Sequence, residues 1–433
     1  MAKPNILGSR LGWKASLLAG ACLAACAFAA PASASPTYAF QQTIAGPGGR
    51  SISGYDLSVF DSSNQLYYLT DRTNNGIDVY SAATNSYVTQ IGAGLFTGAT
   101  SSNDNAGPNG LYLSNTTAGG KILVAGNGAS NLLAFNLNAA GTAATGAPLT
   151  VSTAVVGTPS PQNRVDGVAY APGPKTILAA NNASNPGYLT LVDAVTGTVL
   201  KSLLLNGQPG TPNVADQGVE ATIFNTARNT FFVAVPTLNA ASATDPGGVI
   251  EVGPTSGSII KTYSFASLGL AGTCSPTGLV QGAGAAMFVA CSDPGATGSI
   301  LLDPAGTGSI RIASGIRGGD QTAYDPTNNT FFEAARFQPG GPVIGVIDAS
   351  TLAVQLLPGA DNIHSIAVDP VSNEVFVATS RNSATKPNPY CTNGCIAVFS
   401  TAAATVVPEP GSLPVMAAGF IGLLGLAWMR CRV

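Results

Sequence analysis

The stretch YDPTNNTFFEAAR, residues 324–336, reads as two strands hinged on a turn. Asp325 and Pro326 open the turn, because an Asp side chain caps nearby backbone amides and Pro presets φ. The run from Thr330 to Ala335 is rich in strand formers and free of Gly and Pro. The same pattern returns 44 residues later as VDPVSNEVFVATS, residues 368–380. Four earlier segments align with it without gaps: FDSSNQLYYLTDR from Phe60, YAPGPKTILAANN from Tyr170, FNTARNTFFVAVP from Phe224 and VQGAGAAMFVACS from Val280. A seventh, LSNTTAGGKILVAGN from Leu113, fits with a small insertion. The apolar anchor of the second strand falls at Tyr68, Leu123, Leu178, Phe232, Phe288, Phe332 and Phe376, in steps of 55, 55, 54, 56, 44 and 44. Repeats of about 40 to 50 residues are the periods of propeller blades.

Each unit supplies four strands. GVAYA is turned by PGPK into TILAAN, and YLTLVDA and VLKSLLL follow. The alternation has period two and the turns hold Gly, Pro, Asn and Asp, so the fold is expected to be all-β. Seven such sheets set radially protect nearly every edge, which predicts a seven-bladed β-propeller over residues 35–404. TYAFQQTIA, residues 37–45, is the expected outer strand of blade seven, closing the ring; TAAATVV, residues 401–407, competes for that place. The segments DPTNNTFFEA and DPVSNEVFVA resemble the Asp-Pro-x-x-Asn turn and YVAN-like strand of YVTN-type seven-bladed propeller proteins. The resemblance covers two blades well and the others loosely. Relatives by fold include lactonases and binding propellers, and fold does not transfer function.

Both ends of the chain point to export. Lys3, Arg10 and Lys14 precede an apolar, small-residue run from 15 to 30, and Ala32-Ser33-Ala34 offers a cleavage site, so residues 1–34 read as a signal peptide for signal peptidase. Leu23-Ala24-Ala25-Cys26 is a rival lipobox that would place a lipid on Cys26. At the other end, residues 405–433 hold VPEPGSLPV, an apolar run over 413–429, and then Arg430 and Arg432. Seventeen apolar residues at about 1.5 Å each barely cross a bilayer, and the trailing arginines keep that end cytoplasmic. Motif, apolar helix and basic end resemble the PEP-CTERM sorting signal of Gram-negative bacteria. The resemblance implies an exosortase partner that recognises Pro408, Glu409 and Pro410. It also implies a transient inner-membrane anchor, then release to the cell surface or the extracellular, exopolysaccharide matrix. Only 9% of residues are charged, against about 25% in an average domain, and the net charge is −3. That excludes a basic field for nucleic acid.

Four cysteines fall in the body, and an even count in an exported chain favours two disulfides, Cys274–Cys291 and Cys391–Cys395. In a propeller, the start of each first strand and the end of each second strand share one face. The starts give Asp56, Asn109, Asp166, Glu220, Asp320 and His364, with Cys274 in blade five; the ends include Arg72, Arg336 and Arg381. Asp56, Asn109, Asp166, Glu220, Arg336 and Arg381 are therefore candidate ligand-binding residues around one mouth of the channel. Carboxylates and amides with few histidines suit Ca2+, and equally sugar hydroxyls. His364, the only histidine, is a candidate general base with Asp320 or Asp56. No Gly-x-Ser-x-Gly elbow, two-histidine metal pair or phosphate loop is present. Two functions follow: a non-catalytic surface propeller binding polysaccharide or a surface protein, or a lactonase-like hydrolase using the upper-face carboxylates.

Overall fold

A computed structural model of the chain describes residues 36–401, apart from 116–119, 156–162, 215–217 and 386. The signal segment and the Pro408-Glu409-Pro410 motif lie outside the described residues. Among those described, no helix is long and apolar enough to cross a membrane. Seven four-stranded antiparallel sheets follow one another along the chain. Blades one to six span residues 55–91, 111–152, 168–204, 222–264, 276–314 and 322–358. Blade seven joins three strands from 366–401 to the strand Tyr38–Ala45. The first strands of successive blades lie side by side all the way round, and that of blade seven meets that of blade one, so the ring is closed.

The turn chemistry behaves as the repeat requires. Asp325 accepts from the amide of Thr327 at 2.8 Å, Asp369 from Val371 at 3.0 Å, and Asn225 from Ala227 at 3.1 Å. The last turn residue before the second strand is left-handed at Gln65, Lys175, Asn229, Asn329 and Asn373, with φ between 49° and 58°. Asn tolerates that region better than most side chains, which explains the Asn of the Asp-Pro-x-x-Asn pattern.

The core is seven wedges, one between each pair of neighbouring blades. Alternate residues of each second strand serve opposite wedges: Phe331 packs with blade five, whereas Phe332 packs with blade seven. Tyr67 likewise faces blade seven and Tyr68 faces blade two. All seven expected anchors are buried. Six of them face the following blade, but Leu123 faces blade one, and it is Val124 that faces blade three. The insertion in blade two therefore shifts its anchor by one place. Its second strand begins early, at Lys121, whose ammonium pairs with the buried Asp61 carboxylate of blade one.

The strand Tyr38–Ala45 pairs antiparallel with Asn393–Thr401, Tyr38 opposite Thr401 and Ala45 opposite Cys395. It is the outer strand of blade seven, as expected from the sequence. Both expected disulfides form: Cys274–Cys291 and Cys391–Cys395.

Candidate functional site

The first strands converge at one mouth of the channel on a cavity of about 540 Å³. Hydrogen bonding identifies the equivalent place in successive blades. The amides of Asn109, Asp166, Glu220 and Asp320 each donate to the second strand of their own blade, at Gly126, Ala180, Ala234 and Ala334. In three blades the next residue is a glycine pressed against the following blade. A Cβ on Gly110 would lie 1.7 Å from the Asp166 carbonyl oxygen, and one on Gly278 would lie 1.8 Å from that of Asp320. Glycine there lets one blade seat the acidic residue of the next. By this register blade five contributes Thr277, three residues beyond Cys274, as its counterpart.

Asp56, Asp166, Glu220, Asp320, His364 and Arg336 all line the cavity, as does Arg72. Two sequence candidates do not. Asn109 is fully buried beneath the lining; its amide donates to Ala106 and Val165 carbonyls, and its Oδ1 accepts from Arg72 at 2.6 and 3.0 Å. Arg381 is exposed outside the lining, its amide bonded to the Ile52 carbonyl at 2.7 Å. The strand it belongs to, Glu374–Arg381, runs two residues longer than most second strands and carries Arg381 past the mouth. The sequence reading missed Arg164, which precedes the first strand of blade three and lies outside the aligned repeat. Its signal was its place two residues before Asp166.

The mouth is built from carboxylate–guanidinium pairs. Arg72 meets Asp56 at 2.9 Å, Arg336 meets Asp320 at 2.9 Å, and Arg164 bridges Asp166 at 3.2 Å and Asp104 at 3.1 Å. Burial pushes the Asp56 carboxyl up to about 7, against the pull of Arg72. Burial also raises Asp166, but the Arg164 and Arg72 guanidiniums outweigh it and hold that carboxyl below its usual range. Glu220 is driven well above its usual range by burial and then by the Asp166 and Asp320 carboxylates. Its Oε1 accepts from the Asn182 side-chain amide at 2.7 Å. Carboxylates that meet guanidiniums are poor cation ligands. Among the described residues, no three His, Cys, Asp or Glu side chains assemble to hold a metal ion.

His364 is a strut of the wall. Its ring stacks on Tyr55 at 4.5 Å, with Nδ1 2.7 Å from the Asn362 carbonyl and Nε2 3.0 Å from the Tyr55 carbonyl. Burial, then the Arg336 guanidinium, pulls the imidazole down to about 4, against the carbonyls and Asp320 that favour its charged form. Burial and Arg336 dominate, so the ring is neutral and donates to one carbonyl only. Both nitrogens lie against backbone carbonyls, and the Asp56 carboxylate stands 3.9 Å from Nε2. Polar capacity remains elsewhere in the lining: Thr322 Oγ1 and Arg336 Nε are buried without a hydrogen-bond partner.

No family model matches the chain, and no curated protein matches it. Solved structures do. A crystal structure of the RRP9 WD40 repeats aligns with a TM-score of 0.56 at 11% identity, covering 85% of this chain and 99% of that one. A chain of the Mitotic Checkpoint Complex aligns at 0.55 and 10% identity, covering 92% and 99%. The structure of U3-55K aligns at 0.55 and 10%, covering 84% and 99%. At such identity the likeness shows the fold alone. The body is a seven-bladed β-propeller with a polar cavity at one mouth.

Proposed function

We propose that this is an exported binding propeller whose mouth takes a hydroxyl-rich, saccharide-like ligand within the exopolysaccharide matrix. The observation that carries the reading is the lining itself: guanidiniums and carboxylates paired around one cavity, in near balance of charge. Such a surface presents many fixed donors and acceptors without strong net attraction for an ion. Sugar hydroxyls need that combination, and the volume lies within the roughly 300–1,000 Å³ of ordinary ligand sites. The hydrolase alternative asks for a base open to the mouth, and the packing of both His364 nitrogens against backbone carbonyls favours the binding reading over it. We further propose that the PEP-CTERM-like tail holds the protein at the inner membrane, and that exosortase recognition of Pro408-Glu409-Pro410 releases it to the surface.

Glycan-array screening followed by calorimetry tests the binding reading. Arg336→Gln and Asp320→Asn should each weaken the captured glycan at least tenfold while thermal unfolding stays within a few degrees. A ligand that binds equally well to both variants sits elsewhere, and no captured glycan ends the saccharide reading. Replacing Pro408, Glu409 and Pro410 by Ala should leave full-length protein in the inner membrane of the native host; normal release of that variant removes the sorting reading.

A further inference from the structure

We infer that the anchored protein holds its ligand mouth away from the membrane, with the opposite face of the propeller towards the bilayer; this rests on the proposed membrane anchor. The mouth lies where the first strands begin, at Asp56, Asp166, Glu220, Asp320 and His364. In blade seven the third strand runs from Asn393 beside that face to Thr401 at the other. Two observations fix the exit. Thr401 pairs with Tyr38, and the Tyr38 hydroxyl reaches Asp325 at 3.5 Å and Asn328 at 3.2 Å, in the turn that ends the first strand of blade six. The chain therefore leaves the body for its apolar tail from the face opposite the cavity.

The tether disfavours the reverse orientation. Only residues 402–412 separate Thr401 from the apolar run at 413. Eleven residues reach about 40 Å when fully extended, but their root-mean-square span is about 18 Å. The strand Asn393–Thr401, at about 3.3 Å per residue, makes the body about 30 Å from face to face there. Turning the mouth to the bilayer would stretch the tether along the whole side of blade seven, well beyond its root-mean-square span. On the face turned to the bilayer, the first turns 62–65, 172–175, 226–229, 282–286, 326–329 and 370–373 hold two charges, Lys175 and Arg228. Val371, in the turn of the tethered blade, is among the most exposed large apolar side chains described, at 67%. The consequence is that the cavity is open to matrix ligands while the protein is still anchored, so binding does not wait for release.

The test uses full-length protein in vesicles containing a lipid with a headgroup quencher, with a fluorescent amino acid replacing either Val371 or Ser101. Val371 lies on the exit face, whereas Ser101 is exposed in the loop that follows the outer strand of blade one, on the mouth side. Flotation reads the anchor and quenching reads the orientation. Flotation with at least threefold stronger quenching at position 371 is the expected result. Flotation with equal quenching, or stronger quenching at 101, overturns the orientation but leaves the anchor. Failure to float removes the anchor and the orientation together.

Discussion

Glu333 is fully buried on the face of blade six that meets blade five, and neither carboxyl oxygen has a hydrogen-bond partner. Burial pushes its carboxyl up to about 8, while Ser299 pulls the other way. Below the unfolded value near 4.5 both states are protonated and the group adds no pH dependence to stability. As pH rises from there to about 8, the unfolded chain gives up the proton and the folded chain keeps it, so stability falls; above that range the loss is constant, at about 4–5 kcal/mol. Glu333→Gln should therefore be markedly more stable than the parent at pH 8 and about equal to it at pH 4, as read by thermal unfolding across that range. Gly278 makes the second residue-scale case. A methyl there meets the Asp320 carbonyl at 1.8 Å, so Gly278→Ala should cost about 2 kcal/mol or more by overpacking. Because it shifts the backbone that carries Asp320, it should also weaken glycan capture in calorimetry. At this scale the sequence was half legible. Asp56, Asp166, Glu220 and Asp320 follow from counting to the start of each first strand. Arg164 sits in a loop off the repeat, and the glycines act through contacts with the next blade that no single repeat contains.

The strand Tyr38–Ala45 is the element on which closure depends. It lies more than 300 residues from its partner in the chain, yet it covers the last open edge of the ring. Tyr38 is 1% exposed; its amide and carbonyl pair with the Gln355 side chain at 3.2 and 3.1 Å, so it ties blade seven to blade six as well. Tyr38→Ala should cost about 3–5 kcal/mol, as for other large aromatic truncations. Tyr38→Phe, which loses only the hydroxyl contacts to Asp325 and Asn328, should cost about 1 kcal/mol. Urea unfolding separates the two, and equal small losses would show that the strand is dispensable for closure. Elements were the most legible level of this chain, because turn chemistry and period-two alternation are local. Blade two is the exception: its extra strand residue, Lys121, is set by the partner Asp61 in another blade, which alignment of the repeats does not reveal.

For the whole molecule, the seven wedges matter more than any one blade. Blade five places Met287 and Ile300 in the wedge with blade four and Phe288 in the wedge with blade six. Neither face of a blade is complete alone, so unfolding one blade strips apolar cover from two neighbours. The Cys274–Cys291 disulfide, with a sequence separation of 17, closes a loop worth roughly 3 kcal/mol in chain entropy. If the blades were independent, removing it would let blade five melt early as a separate event. If the ring unfolds as a unit, the loss is shared by all seven blades. Over a body of this size it should lower the midpoint by only about 4 °C. The double substitution Cys274→Ala, Cys291→Ala should therefore give one calorimetric transition, shifted down by a few degrees, with calorimetric and van't Hoff enthalpies in agreement. A distinct low-temperature transition in that variant would mean that the wedges do not couple the blades, and that closure by Tyr38–Ala45 stabilises blade seven alone.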